Sequence, residues 1–375
     1  MLRKVLILLA VAGVLAAPGS TARQEQLMPG VSYEREVQFT RYGPVVVHVV
    51  TAPRPVGNYS LDPVVSNNAV SGRERLTAMQ RRLAATATGL VGVNGDLYFA
   101  DGRPHGILMQ NGVIHHAPVF TRSSLGIDAN GALRVARISL NETWSGTGQR
   151  RPLVGINRPP GPNGVSLFTP AWGGATPPAG DTAEIVVGGF PRTTPGTELT
   201  GTVVQAKGQG STPIPRDGAV LVGRGTQGRT LANEAPAGTT VTVRLVLDSE
   251  WAGVVDSIGG GPVLVRDGKP VFRSRESFSA QTLAVRQARA AIGQRADGRI
   301  LLVAVDGGRL GSSVGMTNYE LARTMARLGS VTAYALAGGP ASALAVNGRL
   351  LSRPRGSEPA LADALVLAYR GARTR

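Results

Sequence analysis

Leu90-Val91-Gly92-Val93-Asn94-Gly95-Asp96 is the stretch on which the reading of the fold turns. Its apolar half is a short strand. Asn-Gly-Asp then stops that strand with turn-forming residues, leaving an amide and a carboxylate at a sheet end. The pattern recurs where Ile300–Val305 runs into Asp306-Gly307-Gly308, and where 330–335 leads into Gly338-Gly339. Ahead of the first copy, Ser71-Gly72-Arg73-Glu74 has the S-x-x-E form of a capping box. Leu76, Met79 and Leu83 follow at helical spacing, which predicts a helix over 72–87. Ahead of the third copy, Thr317-Asn318-Tyr319-Glu320 and Leu321, Met325 and Leu328 predict a helix over 318–328, stopped by Gly329. Asn111-Gly112 and Asn347-Gly348 then predict hairpin turns. Blocks 71–114 and 317–351 thus share an order, which reads either as an internal pseudo-repeat or as chance likeness of two helix–strand units. An approximate two-fold would turn 94–96 and 338–342 toward one cleft.

Around these blocks, 31–52 reads as two strands, 53–70 as loop, 141–182 as irregular and 183–250 as all-β, with turns at Asp217-Gly218 and Gly223–Gly228. A last strand is expected over 362–369. The fold class is α+β, with mixed, mostly antiparallel sheets and two main packed helices. The expected organisation is a signal peptide at 1–22, N-terminal strands and loop at 23–70, and one domain over 71–375 with a β-rich insertion at about 140–250.

Composition narrows the function. Gly (50) and Pro (25) make one residue in five of 375, which favours turns and short strands over a helical bundle. The net charge is +16, yet the arginines are scattered, so a generally basic surface and a basic face for an anionic polymer both fit. Aromatics at 5% supply few stacking platforms, and nucleic acid is not an expected partner. With no cysteine, disulfides, thiolate metal sites and cysteine nucleophiles are excluded. Met1–Lys4 is positive, Val5–Ala17 apolar, and Pro18–Ala22 small, the form of a secretory signal. Secretion or wall association is therefore expected, with no integral membrane segment once the signal is removed.

No His pair has metal-ligand spacing: adjacent His115 and His116 on a strand point to opposite faces. No cofactor is expected, although carboxylates leave room for a divalent cation. No G-x-S-x-G, P-loop or dinucleotide turn is present; Gly259-Gly260-Gly261 precedes Pro262 and a strand, not a helix. Asp96 and Asp306, each at a strand end beside glycine, are candidate site carboxylates as well as ordinary turn residues. Arg289, ahead of Ala290-Ala291-Ile292-Gly293, is a candidate phosphate clamp, since its planar fork suits a phosphate.

Taken together, Val93–Phe99, Gly102-Arg103-Pro104-His105-Gly106, Ile258–Val265, Arg289–Gly293, Val305–Gly308 and Gly315-Met316-Thr317 resemble the phosphodiester glycosidase domain family, which includes the mannose-6-phosphate uncovering enzyme and exported bacterial proteins. The resemblance runs from about Pro29 to Tyr369. It implies hydrolysis of a sugar-1-phosphodiester to free sugar and phosphomonoester, with an oxocarbenium-like transition state. Under it Asp306, Asp96 and Arg289 are the catalytic candidates. Asn94, Gly95, Gly106, Gly307, Thr317, Gly338, Gly339 and Ser342 would contact substrate, a sugar phosphate or anionic glycopolymer. Thr317 has a helix cap as its second role. Three positions depart from the family pattern: Ala337 stands where an aspartate is usual, Pro340 where a glycine is usual, and Pro359 where an arginine is usual. They imply an alternative, a catalytically degenerate member that binds anionic cell-wall glycopolymer without turnover.

Overall fold

The computed structural model describes residues 24–272 and 274–371; the expected signal peptide lies outside the described residues. Four α-helices occur among the described residues: α1 (Leu76–Leu83), α2 (Gly225–Glu234), α3 (Ala280–Ala284) and α4 (Asn318–Arg327). Strand content is 45% against 12% helix, so sheets set the architecture.

Two antiparallel sheets stack face to face. One has eight strands, in the spatial order Gln24–Met28, Val31–Thr40, Gly43–Ala52, Ile300–Val305, Arg289–Arg295, Ser330–Leu336, Val263–Arg266 and Lys269–Pro270. The other has five: Arg349–Leu350, Leu344–Val346, Gly89–Asn94, Asp363–Tyr369 and Tyr59–Val65. Side chains alternate along each strand. Val50, Ile292 and Leu302 therefore meet Val91, Val93 and Leu365 in the inter-sheet core. The alternate set, including Val47, Val303 and Val305, faces outward and is covered by Leu321 and Met325 of α4. Leu76 and Met79 of α1 cover Leu90 and Val366 on the far side. Both faces of the central strands are buried, which is why they read as continuous apolar runs.

A linking sheet, Leu133–Ala136, Ser124–Asp128, Val254–Ile258, Leu108–Gln110 and Val113–His116, adjoins this sandwich. A seven-stranded sheet built from residues between Leu140 and Leu247 has its own core around Trp144, Leu167, Leu221 and Val243.

Several expectations need correction. The structure does not reduce to two main packed helices, because α2 is as long as α4 and lies in the stretch read as all-β. Gly223 and Gly228 are not a turn: a Cβ on Gly228 would sit 2.7 Å from the Gly223 carbonyl oxygen. The glycines let helix and strand backbones touch. Within the expected loop 53–70 runs the strand Tyr59–Val65; Pro63 is tolerated there because the strand lies at the sheet edge. The first capping box is absent. The Glu74 carboxylate accepts from Asn67 N at 2.8 Å and pairs with Arg82 at 2.7 Å, while Ser71 donates to Trp172 O at 2.8 Å, so α1 starts only at Leu76. The second is present: Thr317 and Glu320 cap α4 reciprocally. The Asn-Gly turns also form, with φ of 50° and 76° at Asn111-Gly112 and 46° and 77° at Asn347-Gly348. The hairpins nevertheless belong to different sheets, the linking sheet and the five-stranded sheet.

Overpacking the α2 contact should be costly. Gly228→Ala is expected to lower unfolding free energy by about 1–3 kcal/mol, read as a shift in urea midpoint with unchanged slope.

Candidate functional site

The strand Gly89–Asn94 ends against the start of Asp363–Tyr369. Gly95 N donates to Asp363 O at 3.0 Å, and Asp96 N to Asp363 Oδ1 at 2.7 Å. The Asp96 carboxylate accepts from Leu97 N at 2.7 Å and from Gly106 N at 2.5 Å. A Cβ on Gly106 would approach Gly259 Cα to 2.9 Å and Asp96 Oδ2 to 3.1 Å, so only glycine lets these loops close around the carboxylate. Burial pushes the Asp96 carboxyl up to about 6, although two backbone N–H groups and the Arg122 charge pull the other way. Asp363 is 1% exposed, and its Oδ2 has no partner among the described residues. Burial, then the Asp96 charge, hold it well above the usual carboxylate range. The two acids form a buried pair in which both carboxyls are held above the usual carboxylate range. Sequence reasoning missed Asp363; the available signal was a lone acid inside the apolar run Leu361–Leu367.

Arg289 opens its strand on the outward face of the eight-stranded sheet. Its Nε donates to Met316 O at 2.9 Å, and its Nη2 to Thr282 O at 3.0 Å and Val285 O at 2.7 Å. Burial lowers its pKa to about 10, which leaves it charged at neutral pH. Its Nη1 has no hydrogen-bond partner among the described residues. A Cβ on Gly338 would lie 3.4 Å from that nitrogen and 3.2 Å from Gln287 Nε2, so both donors flank the glycine loop. Gln287 is a second residue that the sequence did not disclose.

Asp306 lies on the other face. Arg289 pairs with Val305, and His48 with Ala304, across their ladders. Alternation therefore puts Asp306 with His48 in the inter-sheet layer and Arg289 outside it. Asp306 Oδ2 is 3.1 Å from His48 Nε2, Tyr33 Oη is 2.8 Å from His48 Nδ1, and Arg353 N donates to Asp306 Oδ1 at 2.8 Å. The two catalytic candidates Asp306 and Arg289 therefore face opposite sides of the eight-stranded sheet. Both residues sit at the same end of the sandwich, with Gly338-Gly339 nearby.

The remaining candidates are largely engaged by the protein. Asn94 is wholly buried, donates to Ala337 O at 2.8 Å and accepts from Ala343 N at 3.0 Å, so its amide holds backbone rather than an open face. Gly339 N donates to Ala288 O at 2.8 Å, and Ser342 N to Gly339 O at 3.1 Å. Gly307 packs on the Ala288 backbone. Thr317 serves the α4 cap. Ala337 N donates to Gly95 O at 2.9 Å, which ties the Asp96 turn to the Gly338 loop. No cluster of three or more His, Asp or Glu suited to a metal occurs among the described residues.

Residues 182–368 match the model of the phosphodiester glycosidase family. Over that stretch the chain belongs to the phosphodiester glycosidase family. The stretch contains Arg289, Asp306, Gly338 and Asp363, whereas Asp96 and His48 lie before it. Among solved structures, a Synechocystis protein shares 25% identity with a TM-score of 0.77, over 94% of this chain and 64% of its own. An exported-protein candidate of Burkholderia pseudomallei shares 24% identity with a TM-score of 0.71, over 87% of this chain and 74% of its own. The SPbeta prophage-derived protein YomE of Bacillus subtilis is 36% identical over 118 residues, 31% of this chain and 18% of YomE. The chain thus spans less than two thirds of YomE and of the Synechocystis protein.

The acid pair should mark stability against pH. The folded-state pKa of Asp96, about 6, exceeds its ordinary 3.8, so the folded form holds a proton that the unfolded chain releases. Its contribution is full below about pH 4 and is lost as pH rises toward 6, on the order of 2–3 kcal/mol. Asp363→Asn keeps the acceptor for Asp96 N and removes one acid. Thermal melts from pH 4 to 8 should show a flatter profile and a variant more stable than wild type at pH 8.

Proposed function

We propose that this chain is an exported hydrolase that cleaves a sugar-1-phosphodiester. The observation that carries the reading is a buried acid pair, Asp96–Asp363, joined through the Gly95–Ala337 contact to a loop flanked by the unpartnered Arg289 Nη1 and Gln287 Nε2. Burying two carboxyls costs stability, and such groups concentrate at functional sites. Substrate would lie across the end of the sandwich, over Gly338-Gly339. Arg289 and Gln287 would hold the phosphate. Phosphate leaves as an already acidic group, so clamping it matters more than protonating it. Water would add to the anomeric carbon as the bond from that carbon to the phosphate oxygen breaks, with the water proton passing to Asp96. Asp306, on the opposite face from Arg289, becomes the second carboxylate, positioned by His48. Export is supported by the Met1–Ala22 pattern and by the likeness to the Burkholderia pseudomallei protein.

One observation favours the alternative, a binder of anionic wall glycopolymer without turnover. Both Asp96 oxygens are occupied by backbone N–H groups, and Asp96 and Asp306 are 3% and 5% exposed. Ala337 also lies among Ala341, Leu361 and Ala364, an apolar seat where the family has an acid.

The readings separate in one assay. The protein is incubated with an N-acetylglucosamine-1-phosphodiester, with and without divalent metal, and products are identified by mass. Free sugar plus phosphomonoester is expected, with a rate that climbs to a plateau above about pH 6 as Asp96 ionises. Asp96→Asn should lower kcat by roughly 100-fold or more. No product from wild type, with product after Ala337→Asp plus Pro359→Arg, would establish the binder reading.

A further inference from the structure

Away from the strand ends, a cleft runs between the seven-stranded sheet and the core. It has two adjoining lobes, of about 290 and 390 Å³, that share Gln110, Asn111, His115 and Ala171. The larger falls within the size range of small-molecule sites. His115 stands where the lobes meet. Neither ring nitrogen has a hydrogen-bond partner among the described residues, and Nδ1 is buried. The imidazole thus brings an unpaired polar group to the junction of the lobes, where a bound hydroxyl would meet the ring's accessible edge.

The larger lobe is chemically one-sided. Arg192 and Arg216 line it, no carboxylate does, and neither arginine makes an ion pair among the described residues. Phe190, Pro191 and Pro170 give it an apolar wall. Burial, then the Arg192 charge, push His115 down to about 4, so at neutral pH it is an uncharged partner for a hydroxyl. Two free guanidinium forks suit a phosphate, and an apolar wall beside hydrogen-bonding groups suits the C–H face of a sugar ring.

We propose that this lobe binds a phosphorylated saccharide, with the phosphate between Arg192 and Arg216, a ring hydroxyl on His115 and the ring against Phe190 and Pro191. The site is separate from the glycine loops and stands whether or not the chain hydrolyses phosphodiesters. It would let the protein hold one unit of a glycan phosphate at a distance from the strand-end site.

The test titrates N-acetylglucosamine 6-phosphate, which has no phosphodiester to cleave, into the full chain by calorimetry, with inorganic phosphate in parallel. One-to-one binding is expected, at least tenfold weaker in the Arg192→Ala/Arg216→Ala double variant. Both arginines are exposed, so that variant should fold. His115→Leu should weaken binding several-fold, and Arg266→Ala, at an exposed arginine outside the lobe, should leave it unchanged. Absence of binding at millimolar ligand, equal affinity in the arginine double variant, equal affinity for inorganic phosphate, or a loss in Arg266→Ala as large as in the double variant would each overturn the proposal.

Discussion

The Asn94 side chain joins the two stacked sheets. Wholly buried at the end of a five-stranded-sheet strand, it donates to Ala337 O, just beyond a strand of the eight-stranded sheet, and accepts from Ala343 N beyond the same loop. Buried amides demand such partners. The reciprocal bond from Ala337 N to Gly95 O leaves little freedom between the Asp96 turn and the Gly338 loop. Everything at that end of the molecule follows from this junction: the glycine cup around Asp96, the loop beside Arg289, and the closure of Gly106 on Gly259.

Charge is distributed in a way that volume and burial explain. The acids Asp96, Asp306 and Asp363 are buried at or between the sheets, while many arginines lie outside. Arg289 is the exception, a buried cation whose Nε and Nη2 are absorbed by three carbonyl groups. That leaves one nitrogen for an external anion, a narrower role than a free guanidinium fork would have. In the cleft beside the seven-stranded sheet the balance is reversed: two exposed arginines keep both forks free of acids, and the group between the lobes is a half-buried, neutral histidine.

Much of the fold was legible where one signal dominated. Ile300–Val305 appears at its expected bounds because a run of apolar residues ends at Asp-Gly-Gly. The α4 cap forms because Thr317 and Glu320 have no stronger partner than each other and Arg286. The α1 cap fails because Glu74 has one, Arg82 together with Asn67 N. The strand with Pro63 was hidden because its tolerance depends on lying at an edge, and α2 because Gly223 and Gly228 serve a close approach of helix and strand backbones rather than a bend. The family resemblance carried by the glycine and acid motifs was also legible, because each motif is local in the chain.

The sequence by itself determined the alternating apolar runs, the Asn-Gly and Asp-Gly turns, the second helix cap and the placing of Asp96, Asp306 and Arg289 at strand ends, since each depends on neighbours within a few residues. Only the tertiary structure decided that the buried Asp363 accepts from Asp96 N, that His48 and Tyr33 stand behind Asp306, and that Arg289 and Asp306 face opposite sides of one sheet. Those facts depend on ladder register and on which faces stack, and register joins residues such as Asp96 and Asp363 that lie hundreds of positions apart.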